Sequence, residues 1–187
     1  MRGGRLRVLG IDPGSTVTGY GVVEREGATL RHVAHGTVRP RRTGSPAERL
    51  AEIHRALCEL VEMHEPEVAV IEQVFVRAGN PKSALVLGQA RGVALAALGV
   101  HRLAVSEVTP QEIKSAVVGT GRASKLQVQQ MVKRLLGLAH APAQDAADAL
   151  AAAICRAHQG RLAGLPRRAT RARGRTRTAS WVARRAR

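Results

Sequence analysis

The segment from Val8 to Val23, VLGIDPGSTVTGYGVV, constrains the fold of this chain more than any other stretch. It predicts an apolar β-strand, a tight turn opened by Asp12, Pro13 and Gly14, and a second strand. A carboxylate at the junction of a buried strand and its turn is held rigidly yet reaches solvent, where sheet proteins often place reactive groups. Asp12 is therefore the first candidate catalytic residue.

The order of the remaining patterns predicts an α/β domain. Three strands joined by hairpins come first, followed by helix, strand, helix, strand and further helices. This order implies a mixed sheet, flanked by helices, whose antiparallel part lies at one edge. We expect strands at 5–11, 18–24, 29–38, 67–72 and 101–108, and helices that begin at the caps Ser45, Asn80, Thr109 and Ser124 and at Pro142.

Positive charge is distributed unevenly along the chain. The sequence has 30 Lys and Arg against 14 Asp and Glu, and ten of the arginines lie between Arg161 and Arg187, where there is no acidic residue. Residues 1–160 are therefore predicted to be a mildly basic folded domain. Residues 161–187 have few large apolar side chains to offset the entropy cost of ordering and are predicted to be a disordered basic tail. This balance favours nucleic acid as a partner.

The sequence predicts a cytoplasmic protein without a membrane partner. No long apolar span is expected, and the N-terminal MRGGRLRVLGID leads into a strand instead of the apolar region of a signal peptide. Cys58 and Cys155 lie far apart in helical patterns, so we expect core thiols and not a disulfide or a metal site.

Three further carboxylates are expected near Asp12. Glu72 ends the first strand after a crossover helix, and a right-handed crossover would return that strand beside the first, placing both carboxylates at one edge. Asp145 and Asp148 lie in the first turns of the last helix and project from one face of it. They and Asp12 are the only aspartates in the chain. If the last helix packs across the sheet edge, four carboxylates converge.

Four converging carboxylates without a His or Cys cluster favour a site for Mg²⁺ or Mn²⁺. Two such ions about 3.5–4 Å apart can activate a water and stabilise the leaving oxygen of a phosphodiester. Each residue also has a simpler explanation, because Asp12 suits a turn, Glu72 suits a solvated strand end, and Asp145 and Asp148 suit a helix N-terminus. Their joint occurrence in a basic chain favours the metal site.

Five motifs of the chain resemble the RuvC-type Holliday junction resolvases. In the family's order they are GIDPGSTVTGYGVV, IEQVFV, SALVLGQARGVAL, VVGTGRASKLQVQQMV and DAADALAAAI. The resemblance implies a ribonuclease-H-like fold, a homodimer, a branch-migration helicase partner, and Mg²⁺-dependent paired nicking of four-way DNA junctions in recombination and repair. The family's acidic residues fall on Asp12, Glu72, Asp145 and Asp148 of this chain.

The loop after Glu72 contains two candidate DNA contacts. Phe75 is the only phenylalanine of the chain, and a single aromatic residue is most often part of a core. The resemblance implies instead that its ring stacks on an unpaired base. Arg77 in the same loop is the second candidate.

Basic residues in the second half of the chain are further candidates for DNA contact. Lys114 and Lys125 are two of only four lysines, and they match basic positions that the family uses near DNA. A solvated helix face explains them equally well from the residues alone, and their role in DNA binding would be phosphate contact or charge stabilisation. Arg122, with Gly119 and Gly121, is either part of a DNA-facing loop or part of a simple helix connection.

Gly88 and Gly92, four residues apart in the long predicted helix, allow another backbone to come close. Packing of this helix on its own sheet is the explanation that the residues slightly favour. The family resemblance implies a contact between the two subunits of a dimer, which would suit the two-fold symmetry of a junction cut on opposing strands.

The predicted function is a Mg²⁺-dependent endonuclease that resolves four-way DNA junctions. A noncatalytic DNA-architecture protein is one alternative, for which the basic tail would suffice. An ATPase of the actin and sugar-kinase type is another, since Asp12-x-Gly14-Ser15 resembles its phosphate loop, but 187 residues cannot hold the second domain such enzymes need.

Overall fold

The structure, a computed structural model, describes residues 4–73 and 81–159. Phe75, Arg77, Asn80 and the predicted tail 161–187 lie outside these residues. The described elements are β1 (Arg5–Asp12), β2 (Thr18–Glu26), β3 (Thr29–Val38), α1 (Pro46–His64), β4 (Val68–Glu72), α2 (Pro81–Val100), β5 (Ala104–Val108), α3 (Pro110–Val118), α4 (Lys125–Leu135) and α5 (Gln144–Gln159).

The described strands form one mixed sheet in the order β3-β2-β1-β4-β5. β1 pairs antiparallel with β2, and β2 pairs antiparallel with β3. β4 lies parallel to both β1 and β5. The predicted α/β class is confirmed, with its antiparallel part at one edge, and the crossover through α1 does return β4 beside β1.

Apolar side chains on the two faces of the sheet build two cores. Leu9 and Ile11 of β1 pack with α1 and α2, whereas Val8 packs with α3, α4 and α5 on the opposite face. The central strands are buried on both faces, which explains their nearly continuous apolar sequences. The sheet is therefore the middle layer of a helix, sheet, helix sandwich.

Three of the helices begin with the capping boxes that the sequence predicts. In each box the cap hydroxyl accepts a hydrogen bond from a backbone N–H three residues on, and that residue's side chain accepts one from the backbone N–H of the cap. A cap of this kind stabilises a helix by about 1 kcal/mol. The boxes are Ser45 with Glu48, Thr109 with Glu112, and Ser124 with Gln127.

Helix α5 lies directly against the backbone of β1 and β2. A Cβ atom added to Gly10 would lie 2.0 Å from the carbonyl oxygen of Ala149, and one added to Gly19 would lie 2.0 Å from the carbonyl oxygen of Asp145. The buried alanines of α5 present no bulk on this side. The position of α5 relative to the sheet is therefore fixed by contacts between main chains.

Two elements are shorter than the sequence predicts. β5 begins at Ala104 and not at His101, because the chain leaves α2 through a left-handed turn at Arg102, with φ 52°. The backbone N–H of Leu103 closes that turn by donating to the carbonyl of Leu98 at 3.1 Å. α5 begins at Gln144, since the carbonyl of Pro142 accepts a hydrogen bond from the side chain of Gln129 outside the helix.

Helix α2 contradicts two expectations from the sequence. Residues Lys82–Val100 are long and apolar enough to cross a membrane by length and composition, and 22% of this stretch is buried. A Cβ atom added to Gly88 or Gly92 would meet nothing within 4 Å, so packing on the chain's own sheet does not explain these glycines. α2 instead presents an exposed apolar face, with Leu85 68% and Val100 69% exposed.

Candidate active site

Asp12 and Glu72 lie on the same face of the sheet as α5. Side chains alternate along a strand, and Ile11 packs toward α1 and α2, so Asp12 at the end of β1 points to the opposite face. Ile71 of β4 likewise packs toward α1 and α2, which places Glu72 on the face of α5. Both carboxylates end adjacent parallel strands, in which Ile11 is paired with Ile71. Their backbones are therefore neighbours, about 4.8 Å apart.

The first turn of α5 brings Asp145 and Asp148 to this edge. Gly19 is the residue of β2 opposite Asp12, and its Cα lies against the backbone of Asp145. Asp148 lies one turn further along α5, before Ala149, which contacts Gly10 of β1. The close approach allowed by glycine thus places the helix carboxylates over the ends of β1 and β4.

The four carboxylates share one electrostatic environment. Burial, followed by the charges of Asp148, Glu72 and Asp145, raises the pKa of Asp12 to about 7, against a small opposing effect of Lys125. Burial and the charge of Asp148 also raise the pKa of Glu72. The other acids are thus close enough to Asp12 to disfavour its ionisation, as converging carboxylates do without a cation.

Asp148 is held by two neighbouring side chains. Its Oδ2 accepts a hydrogen bond from Lys125 Nζ at 3.1 Å, and its Oδ1 accepts one from Gln144 Nε2 at 3.0 Å. In the described part of the chain, no three His, Cys, Asp or Glu side chains are close enough to hold one metal ion together. The site is thus a carboxylate cluster whose side chains must rotate inward to enclose a cation.

Two cavities flank the carboxylates. One, of about 160 Å³, is lined by both lysines and acids, among them Lys114, Lys125, Glu72 and Asp148. The charge of Lys114 lowers the pKa of Glu72, in opposition to burial. The second cavity, of about 510 Å³, reaches Asp145 from the side of the β1–β2 turn and the start of α2; its lining includes Gly14, Ser15, Thr16, Val17, Lys82 and Leu87.

The predicted DNA contacts fall into three groups. Lys114 and Lys125 lie beside the carboxylates. Arg122 is exposed in the connection between α3 and α4, where its backbone N–H donates to Thr120 Oγ1 at 3.4 Å. Phe75 and Arg77 lie outside the described residues. The roles of all five in DNA binding stay predictions.

Two supporting residues were missed by the sequence analysis. Arg91 of α2 donates from Nη1 to the backbone carbonyl of Glu72 at 2.8 Å and pairs with Glu107 at 2.7 Å. A single arginine within an otherwise apolar helix was the available signal, because a largely buried charge needs a partner. Gln144, which holds Asp148, gave no sequence signal, since glutamine is ordinary in a first helical turn.

The donor set fits a hard divalent cation. Carboxylate oxygens are the ligands that Mg²⁺ and Mn²⁺ prefer, and the pKa of Asp12 is raised by burial and then by the neighbouring acids, whose negative charge a cation would offset. A cluster of carboxylates with lysines beside it has the chemistry suited to a cation and a phosphate, because it offers oxygen ligands to the first and positive charge to the second.

The metal-free protein is expected to lose stability as pH rises from about 4 to 7. In the unfolded chain Asp12 ionises near 3.8, but in the folded chain it keeps its proton up to about 7. The folded state therefore binds more protons within this window, and the free energy of unfolding falls across it, by about 1–3 kcal/mol after allowance for partial exposure.

Urea denaturation in EDTA at pH 5 and pH 8 measures this loss. The Asp12→Asn variant should lose less stability between the two pH values than the wild type, since the other titrating groups are common to both proteins. Parallel losses in the two proteins would show that Asp12 does not carry the effect.

Comparison with known proteins finds the same family in each search, over nearly all of the described residues. The family model of the crossover junction endodeoxyribonuclease RuvC matches residues 8–156. A protein of that name from Alkalilimnicola ehrlichii is 57% identical over 163 residues, which cover 87% of this chain and 98% of the relative. Another from Acinetobacter baumannii is 51% identical over 177 residues, which cover 92% of this chain and 97% of the relative.

Solved structures agree with these sequence matches. The structure of T. thermophilus RuvC in complex with Holliday junction substrate has a TM-score of 0.79 and 34% identity, covering 83% of this chain and 95% of that one. The yeast mitochondrial Holliday junction resolvase Ydc2 has a TM-score of 0.60 at 18% identity, covering 81% of this chain and 78% of that one, and shares the fold. The sheet and helices described above therefore form a ribonuclease-H-like fold.

Proposed function

Because the chain belongs to the RuvC family of crossover junction endodeoxyribonucleases, we infer that the carboxylates at the end of β1, β4 and α5 carry out the cleavage of four-way DNA junctions. The protein is a metal-dependent nuclease that acts as a Holliday junction resolvase. The observation that supports this site is the placement of all three aspartates of the chain, with Glu72, at one sheet edge.

The proposed cofactor is Mg²⁺, with two ions per site and Mn²⁺ as a substitute. Asp12, Glu72, Asp145 and Asp148 would hold the ions. When bound, the metal supplies an activated water and stabilises the leaving oxygen of the phosphodiester. Asp12 must lose its proton to act as a ligand, and because its pKa lies near 7 without metal, proton release and metal binding are linked.

Lys125 and Lys114 are proposed to bind the reacting phosphate. Lys125 is paired with Asp148 and lies 73% exposed, so it can turn toward a phosphate once Asp148 is occupied otherwise. Lys114 lines the same cavity beside Glu72. Their ammonium groups would balance the negative charge that grows on the phosphoryl oxygens during attack. Gln144 would keep one oxygen of Asp148 in place while Lys125 moves.

The exposed face of α2 is proposed to join two copies of the chain. It combines open glycines at 88 and 92 with exposed apolar residues such as Leu85 and Val100. A soluble protein buries such a face against a partner, and glycines four residues apart allow two helices to pack closely. A two-fold homodimer would present two sites to the two strands that are cut in paired nicks.

The Gly92→Leu variant tests this interface. Within one chain a Cβ atom at position 92 meets nothing within 4 Å, the position is exposed, and leucine favours a helix over glycine, so we expect the variant to fold as stably as the wild type. Sedimentation velocity should show a monomer at concentrations where the wild type is a dimer. A control, Gly4→Ala, lies in open space outside α2 and should remain dimeric. A dimeric Gly92→Leu protein would contradict this interface.

The cleavage activity itself is tested with a mobile synthetic four-way junction and a linear duplex of the same sequences. Selective nicking of the junction at symmetric positions, present with Mg²⁺ and absent with EDTA, is the expected result. Binding without nicking across several junction sequences and metals would leave a noncatalytic junction-binding protein. A protein of that kind needs only positive charge to bind DNA. That alternative does not explain why four carboxylates lie close together.

Two further proposals concern the partner of the protein and its location in the cell. The family relationship supports a branch-migration helicase complex as the partner. The sequence supports a location in the cytoplasm. Co-purification with the helicase in the presence of junction DNA tests the first.

A further inference from the structure

The connection between β3 and α1, residues 39–45, lies at the same edge of the sheet as Asp12. Asp12 pairs with Gly19 of β2, and Gly19 pairs with Thr37 of β3. Thr37 is therefore level with Asp12 two strands away, at about 10 Å. The connection begins at Arg39, two residues further along, on the opposite side of Asp12 from Glu72 and β4.

Strand alternation along β3 places Thr37 on the face of the carboxylates. Opposed residues of antiparallel strands lie on one face, so Thr37 shares the face of Gly19 and Asp12. Val38 packs against the core formed with α1 and α2, on the other face. β3 ends at Val38, so Arg39 begins the connection immediately after it, at the edge of the sheet where the four acids lie.

Two positive charges of this connection are unneutralised. Arg39, Arg41 and Arg42 are all exposed. Arg41 is paired with Glu52 of α1, whose carboxylate accepts from its backbone N–H at 2.8 Å and its Nε at 2.6 Å. Among the residues that the structure describes, no acidic side chain pairs with Arg39 or Arg42. Their charge is therefore available to an external anion.

Side chains of α1 contact both this connection and the turn that follows Asp12. Arg49, in the first turns of α1, donates from Nη2 to the backbone carbonyl of Ser15 at 2.5 Å. The Glu52 contacts with Arg41 hold the other side of the connection to the same helix. The backbone N–H of Gly44 donates to the carbonyl of Arg41 at 3.3 Å. These contacts of Arg41 and Gly44 hold the backbone of the connection that carries Arg39 and Arg42.

We propose that Arg39 and Arg42 form a second contact to the DNA backbone, on the β3 side of the cleavage site. The inference rests on the proposed function and adds a partner surface to it. Lys114 and Lys125 lie on the other side of Asp12, near Glu72. A distance of about 10 Å spans about three nucleotides of a strand at 3.4 Å each. The strand would be held on both sides of the phosphate that is cut, through sequence-independent contacts.

The double variant Arg39→Gln with Arg42→Gln tests the proposal in the full-length chain. The matched control, Arg31→Gln with Arg134→Gln, removes the same charge far from the site. Arg31 lies near the start of β3 beside Glu26, and Arg134 lies in the last turn of α4. Junction binding is measured by fluorescence anisotropy in EDTA over a range of salt concentrations, so that no DNA is cut.

Loss of two phosphate contacts should reduce the slope of log K against log salt by about 1.8, since each contact contributes about 0.9. The control pair should keep the wild-type slope. The charge-retaining pair Arg39→Lys with Arg42→Lys should restore the slope, which separates loss of charge from a folding defect. Equal slopes for the glutamine pair and the control would overturn the proposal.

Failure of this inference is distinguishable from failure of the proposed function. The slopes are measured without metal and report only where DNA lies. Junction cleavage by the wild-type chain with Mg²⁺ reports the activity. If the wild type cuts junctions but the glutamine pair has the wild-type slope, the DNA contact on the β3 side is wrong and the nuclease function still stands.

Discussion

The Asp12→Asn variant is expected to bind a four-way junction at least as tightly as the wild type and to cut it at least about a thousand times more slowly, a barrier increase of about 4 kcal/mol. Asparagine keeps the shape of the side chain but removes the charge that would hold a cation. Binding should not weaken, because the substitution removes a negative charge from a surface that approaches phosphates. Single-turnover cleavage with Mg²⁺ and binding in EDTA measure the two quantities.

A matched control for this variant is Glu59→Gln, which removes an exposed carboxylate from α1. It should cut at the wild-type rate, so a general effect of net charge would be visible. A cleavage rate for Asp12→Asn within tenfold of the wild type would mean that the carboxylate cluster is not the catalytic centre.

The Gly19→Ala variant is expected to lose both stability and activity. The new methyl group would lie 2.0 Å from the carbonyl oxygen of Asp145 and 2.4 Å from its carbonyl carbon. Both are backbone atoms, so the first turn of α5 must move as a unit. We expect a loss of about 2–3 kcal/mol in unfolding free energy. Because a misplacement of about 1 Å costs about a hundredfold in rate, cleavage should fall by that factor even where the protein stays folded.

Thermal unfolding and single-turnover cleavage at low temperature separate the two effects of Gly19→Ala. Gly4→Ala serves as the control, since its added Cβ meets nothing within 4 Å and its stability should change by less than about 0.5 kcal/mol. If Gly19→Ala melted and cut like the wild type, α5 would not be fixed by its contact with β2.

The sequence predicted the features of this fold that depend on local chemistry. Capping boxes at Ser45, Thr109 and Ser124 fix helix starts through hydrogen bonds three residues apart, so they can be read directly. The continuous apolar run of β4 predicted a strand buried on both faces, and it lies between two parallel neighbours. The position of Asp12 at the end of its strand followed from the turn residues after it.

Features that depend on contacts between distant elements were not predicted. Gln144 holds Asp148, and Arg91 reaches the carbonyl of Glu72, but both contacts depend on how a helix is rotated about its axis. Gly88 and Gly92 were attributed to packing within one chain because spacing alone does not show which face of a helix meets the sheet. The place of Arg39 at the sheet edge of the acids likewise required the observed register of β3.

Arg91 gives helix α2 a second role. The helix that carries the proposed subunit contact also donates a hydrogen bond to the backbone of Glu72, at 2.8 Å from Arg91 Nη1. Arg91 also pairs with Glu107 of β5, so one side chain of α2 contacts two neighbouring strands at the edge of the acids. In a dimer formed through α2, each subunit contact would therefore lie on the helix that also supports the strand end carrying Glu72.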